Sequence, residues 1–381
     1  LSNTFLKGLF SEIKTVPPEL KNAYYPSLNG LRGIAILMVV LSHLKLSGML
    51  WYSVIFDGTR GVYIFFVLSG FLITTLCLKE KALTRHLSLK NFYIRRALRI
   101  FPVAYLFIVV LIILNLVFQL GIHYKNFLGT SLYLMDFSSY FRKYYFSWYT
   151  GHFWSLSVEE QFYLIIPFIL QRKFTVYLSV ILSMIFVLPL VLTLQYLFPA
   201  LNTGVLYAFT HFIIKFQAIA VGCLFAVLMF KYPISKWVSG RKKIIFNITA
   251  FVLIVMIPYD DLYNLESVFT GLLISMVVGY LIVSNIVPGN DLIFKLLNTK
   301  VLNIIGILSY SIYIWQQIFT AGDKRLPAFM VTYPYDIICI IVVSCCSYYF
   351  YERPFLKLKA RFSKVKAKHV LVIEEAFEHE K

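Results

Sequence analysis

The sequence predicts an all-α polytopic membrane protein: a bundle of about ten transmembrane helices with both termini cytoplasmic. Three observations lead there. Over 381 residues, 59% are hydrophobic and only 14% charged, with a mean hydropathy of +0.75, whereas soluble domains carry about 25% charged residues. Ten apolar segments approach the ~20 residues that a helix needs to cross hydrocarbon. The basic residues then sort by loop. With the amino terminus inside, 27 of the 36 Lys and Arg fall on the inner side and seven on the outer, leaving Arg32 and Lys215 within segments. That asymmetry sets orientation.

The segments are expected near 28–47, 61–78, 100–119, 158–171, 175–198, 209–230, 244–258, 265–286, 301–319 and 334–351. They divide the chain into a cytoplasmic amino-terminal segment (1–27), one ten-helix membrane domain (28–357) and a basic-then-acidic cytoplasmic tail (358–381). No cleavable signal pattern precedes residue 28, so the first apolar segment is expected to stay as a helix. The net charge of +18 is spread over membrane loops rather than along one face. That distribution fits contact with anionic lipid headgroups and argues against nucleic acid. Cys77, Cys223, Cys339, Cys345 and Cys346 lie in or beside apolar segments without metal-site spacing, and read as small core hydrophobes.

Segment one places two ionisable residues, Arg32 and His43, in an otherwise apolar run. Eleven residues of α-helix turn through about 1100°, three turns and roughly 20°, and rise about 16 Å. Both side chains therefore share one stripe. Ionisable groups inside a membrane are costly and mark functional pathways. Histidine, with an unperturbed pKa of about 6.5, suits proton abstraction, although a lone histidine also often serves structure. Arg32 can bind phosphate bidentately or snorkel to the interface.

In segment two, Ser69 and Gly70 are small enough to admit a neighbouring helix closely. Before segment three stand Tyr93, Arg95, Arg96 and Arg99, whose spacings of three and four put cations on one helical face. They suit phosphates, and equally an inner-headgroup anchor. Segment four opens with His152, Trp154, Ser157, Glu159 and Glu160. Ser157 and Glu160 have capping-box spacing, but two adjacent glutamates exceed what a cap needs. A carboxylate that orients an imidazole is a recurrent catalytic arrangement, which makes Glu160, and then Glu159, candidate partners of His43. Trp154 has the position of an aromatic-belt residue. Tyr310, Ser311, Tyr313, Trp315, Gln316 and Gln317 make segment nine polar and aromatic, and could line a route for a polar substrate. Glu352 and Arg353 are expected to lock the fold where Pro354 stops segment ten.

Six blocks occur in one order: YYPSLNGLRGIAILMVVLSHL, GVYIFFVLSGFLITT, FYIRRALRIFPVAYL, HFWSLSVEEQFYLIIP, ILSYSIYIWQQ and YYFYERPFLK. Together they resemble membrane acyltransferase family 3, the O-acetyltransferases of surface polysaccharides, over roughly residues 24 to 360. The resemblance implies a ten-helix core, an acyl-CoA donor on the cytoplasmic side (acetyl-CoA foremost) and a glycan hydroxyl as acceptor, in a bacterial inner membrane. Arg32 and His43 match the family's Arg-x10-His spacing, and Arg96 and Arg99 its Arg-x-x-Arg. On this reading His43, Glu160 and Glu159 are catalytic, and Arg32, Arg95, Arg96 and Arg99 hold the acyl-CoA. Trp154, Ser157, Tyr310 and Gln316 would meet the acceptor, and no metal is expected. The chain departs from the family where Gln316 replaces a frequent histidine and Tyr63 a frequent acidic residue. The rival class is a transporter or flippase for lipid-linked sugars, with the same ionisable residues as a translocation path.

Overall fold

The computed structural model describes residues 7–22, 25–44, 57–137, 147–201, 204–233, 240–256 and 265–362. Its long helices are α1 (Pro26–His43), α2 (Gly58–Thr84), α3 (Leu89–Phe118), α4 (Phe153–Arg172) and α5 (Phe174–Leu197). They continue with α6 (Ala208–Lys231), α7 (Gly240–Met256), α8 (Leu265–Ile286), α9 (Lys300–Phe319) and α10 (Tyr335–Ala360). No strand occurs among the described residues. Eight of these helices are long and apolar enough to cross a bilayer; α1 and α7 are the other two. Helix α7 is short, and Asn29, Arg32 and His43 dilute the apolar run of α1. The chain is an integral membrane protein, as its composition predicts.

The helices start and stop where local chemistry lets them. Asp57 caps α2 by accepting from the amide of Thr59 at 2.8 Å, and Ser88 caps α3 through the amide of Asn91. Helix α4 starts before its predicted boundary of 158, preceded by a turn over Trp148–Gly151. The capping box is therefore not formed. Ser157 lies a turn inside the helix, where its hydroxyl donates to the carbonyl of Phe153 (2.8 Å) and accepts from the amide of Met135 (3.1 Å). Pro354 likewise does not end segment ten. A π-turn over Ser347–Glu352 precedes it, and the proline sits in the first turn of the next stretch, Arg353–Ala360, where its missing N–H costs little. The same device, a π-turn over Ser183–Val187, carries α5 past Pro189. The predicted tail at 358–381 lies beyond the described residues from 363 onward.

The chain divides into two compact units. The first comprises Leu1–Met38, Met49–Leu87 and Phe162–Gly306; the second comprises Val39–Gly48, Ser88–Gln161 and Ile307–Lys381. In the first, helices meet backbone to backbone. A Cβ on Gly70 would lie 1.9 Å from the carbonyl oxygen of Ile219, and one on Gly222 would lie 2.0 Å from that of Val67. Small residues allow such contact, which dispersion stabilises where lipid offers no hydrophobic drive. Helix α1 is held in the same way: a Cβ on Gly306 would approach the carbonyl oxygen of Asn29 to 1.9 Å, and one on Gly30 would come within 2.0 Å of that of Leu297. Tyr63, which stands where the family often has an acid, packs its ring over Gly271.

Substituting Gly70→Ala must push α2 and α6 apart. We expect a loss of about 1–3 kcal/mol or more, typical of overpacking, read as a lowered melting temperature of the detergent-purified protein. An unchanged melt would refute the close approach.

Candidate active site

The second unit gathers most of the predicted site residues, and they fall into two clusters. The first surrounds His43, in the last turn of α1. Its Nδ1 lies 3.0 Å from Oε1 of Gln316. Nε2 of Gln316 donates to Oε1 of Gln317 (2.9 Å), and Nε2 of Gln317 donates to the backbone carbonyl of Trp148 (2.9 Å). The indole of Trp148 meets the imidazole edge-on, with ring centroids 5.2 Å apart. Both amides are buried, whereas His43 keeps part of its surface accessible. His152 is buried in this unit, its ring packed by Phe107, Phe153 and Tyr313. Its backbone carbonyl accepts from the hydroxyls of Tyr313 (2.9 Å) and Ser155 (3.2 Å).

The second cluster is ionic. Arg96 on α3 faces both glutamates of α4, with Nη2 3.6 Å from Glu159 and Nε 3.7 Å from Glu160. The guanidinium of Arg99 stacks over the ring of Tyr310 at 5.5 Å, and the Tyr310 hydroxyl donates to the carbonyl of Ile100 (2.6 Å). Arg95 donates to the carbonyl of Phe362 (2.8 Å). Glu352, buried at the end of the π-turn of α10, accepts from the hydroxyls of Ser311 and Ser347. The bond from Ser311 ties α10 to α9, and the bond from Ser347 lies within α10.

The geometry thus redistributes the predicted partners. Gln316, expected on the acceptor route, occupies Nδ1 of His43, where Glu160 was expected; Glu160 is seated against Arg96 instead. Arg32 belongs to the first unit and the other candidates to the second. Trp154 is half-buried on α4, and both hydrogen bonds of Ser157 are internal. The sequence reading assigned no role to Trp148 or His152, and gave Gln317 only a place along a polar route. Adjacent glutamines in an apolar helix could have signalled Gln317, because an amide in hydrocarbon demands a partner. The Trp148 contribution is a backbone carbonyl and has no sequence signature. No group of three or more His, Cys, Asp or Glu suited to a metal occurs among the described residues.

The turn that carries Trp148 is fastened from the segment after α9. Tyr149 donates its hydroxyl to Oδ2 of Asp323 (2.9 Å), and Arg325 grips the same carboxylate with Nη2 at 2.6 Å and Nε at 2.9 Å. The hydrogen bonds from Arg325 hold the Asp323 carboxyl well below the usual carboxylate range, and Tyr149 adds to the effect.

A family profile described as an acyltransferase domain matches residues 25–352, and the chain belongs to that family. Among curated proteins it is similar to the peptidoglycan O-acetyltransferase OatA of Listeria monocytogenes serovar 1/2a, with 28% identity over 360 residues, covering 88% of this chain and 56% of the relative. A putative O-acetyltransferase of Staphylococcus aureus strain COL is 29% identical over 362 residues, covering 88% and 58%. The O-acetyltransferase OatA of Staphylococcus aureus strain NCTC 8325 is 28% identical over 358 residues, covering 88% and 57%. The chain therefore spans a little over half the length of these relatives. No solved structure matches it.

Two outcomes follow for this site. Arg96→Met leaves two largely buried carboxylates without their cation, and we expect a loss of about 3–5 kcal/mol. Adding Glu159→Gln and Glu160→Gln should recover most of it in the same melting assay. For Asp323 the depressed pKa means that the stabilisation is present above the ordinary carboxylate value of about 4, and is lost as pH falls through the lower folded value. The stability gap between wild type and Asp323→Asn should therefore stay constant from about pH 8 to 5 and narrow only in stronger acid.

Proposed function

We propose that this chain is a bacterial inner-membrane O-acyltransferase that moves an acyl group, acetyl foremost, from acyl-CoA to a hydroxyl of a cell-surface or lipid-linked glycan. The observation that carries the reading is His43: an imidazole bonded through Nδ1, on a residue that is only partly buried, in a chain of acyltransferase family membership. The O-acetyltransferase names of the relatives support the acyl group and the acceptor atom. Membership of an acyltransferase family favours transfer over the translocation reading.

The chemistry needs a base because a neutral alcohol is a poor nucleophile toward a thioester. In the proposed step, Nε2 of His43 takes the hydroxyl proton while the glycan oxygen bonds to the acyl carbon. Collapse of the tetrahedral adduct breaks the C–S bond, and the departing CoA thiolate recovers the proton from the imidazolium. Arg95, Arg96 and Arg99, all in the second unit, are the candidates for the donor's diphosphate and 3′-phosphate. Glu159 and Glu160 act in this scheme as the counter-charge that fixes Arg96. Trp154 and Tyr310 supply aromatic faces for a sugar.

The decisive assay is acetyl transfer from acetyl-CoA to cell-wall glycan by the purified protein and its His43→Ala variant. We expect a loss of about 10²–10⁴-fold in turnover, the usual worth of a general base. Turnover near the wild-type level would overturn the role of His43.

A further inference from the structure

In the apolar interior around His43, only one member of the hydrogen-bonded chain has a fixed polarity. The backbone carbonyl of Trp148 can accept but never donate. Gln317 must therefore turn its Nε2 toward Trp148, at 2.9 Å, which leaves its Oε1 facing Gln316. Gln316 must in turn present Nε2 to that oxygen, at 2.9 Å, and its own Oε1 then faces His43 at 3.0 Å. Reversing either amide would set oxygen against oxygen or NH2 against NH2. Gln316 is 0% and Gln317 3% exposed, so water is poorly placed to relieve the mismatch, and unsatisfied buried polar groups are expensive. The direction of the chain is thus set at Trp148 and read out at the imidazole.

The geometry points to Gln316 and Gln317 as positioning residues that fix the tautomer of His43, holding the proton on Nδ1 and leaving the lone pair on Nε2. This inference rests on the proposed role of His43 as base, and it specifies which nitrogen does the work. A neutral imidazole has two tautomers, and only the one with a bare nitrogen toward the substrate can accept its proton. Gln316 here does by a neutral amide what a carboxylate does elsewhere, orienting the ring from behind.

The test is nitrogen NMR of the full chain, labelled with [15N]histidine in detergent micelles, with the His43→Gln spectrum subtracted to assign the ring. Above the titration of the imidazole, Nδ1 should give a protonated-type signal and Nε2 a bare-type signal. In Gln317→Met, which removes the polarity lock without changing the length of the side chain, the opposite tautomer should appear. Turnover should fall about tenfold or more while KM for acetyl-CoA stays unchanged. In Gln317→Glu a buried carboxyl that keeps its proton toward the Trp148 carbonyl still offers Gln316 only an acceptor, so the Nδ1–H tautomer should persist. A protonated Nε2 in the wild type, or an unaltered tautomer in Gln317→Met, would overturn the inference. Full activity of His43→Ala would instead defeat the catalytic role and leave the tautomer assignment to stand on the spectra.

Discussion

Hydrocarbon offers no hydrogen bonds, so each polar group that this sequence carries into the membrane must find its partner within the protein. That requirement organises much of the interior. Arg60, at the start of α2, donates to the carbonyl of Val255 at 2.5 Å and lies near Asp57. Lys79, near the other end of α2, reaches the carbonyl of Asn22 at 2.8 Å and the hydroxyl of Tyr25 at 3.1 Å. Lys243 meets Asp291 at 2.9 Å, and the same carboxylate caps the short helix Leu292–Leu297 through the amide of Phe294. The chain from His43 to Trp148 obeys the same rule, but it differs in ending on a residue that is only partly buried. The cost of burying amides is turned there into a direction for a proton.

Packing supplies the second constraint. In the first unit, α2 and α6 approach until only glycine fits at Gly70 and Gly222, and α1 is held against Leu297 at Gly30 and against α9 at Gly33 and Gly306. Contact of this kind leaves little freedom for rotation or sliding, because main-chain atoms meet main-chain atoms. The glycine seats belong to the part of α1 in the first unit, which carries Arg32, and they fix its placement there. Rigid elements place catalytic groups more accurately than loops do, which suits a helix that carries the proposed base.

Much of this was legible in the residues. Membrane class, approximate spans and the small-residue role of Gly70 follow from hydropathy and side-chain size, which act locally. The family followed from six motif blocks in register. Partner choice was less legible, because it depends on which faces tertiary packing brings together. Ser157 and Glu160 have the spacing of a capping box, yet α4 begins at Phe153, so the serine bonds within the helix and the glutamate meets Arg96. Pro354 reads as a stop until the preceding π-turn shifts it into a first turn. Gln316 reads as a lost histidine until its oxygen is seen on His43.

The arginines show why pairing matters for the donor. Arg96 shares its charge with two carboxylates, Arg99 lies over Tyr310, and Arg95 is engaged by a backbone carbonyl. At 3.6 and 3.7 Å, the contacts of Arg96 with Glu159 and Glu160 are ion pairs longer than hydrogen bonds. A phosphate oxygen at this guanidinium would meet the repulsion of both glutamates, so Arg96 is better suited to hold α3 against α4 than to grip an anion alone. Arg99 lies over the Tyr310 ring and interacts with the buried Glu352, and a cation stacked on a ring keeps hydrogen-bonding edges for other acceptors. In the proposed scheme Arg96 is braced by the two glutamates, and Arg99, three residues further along the same helical face, is the candidate that meets the donor.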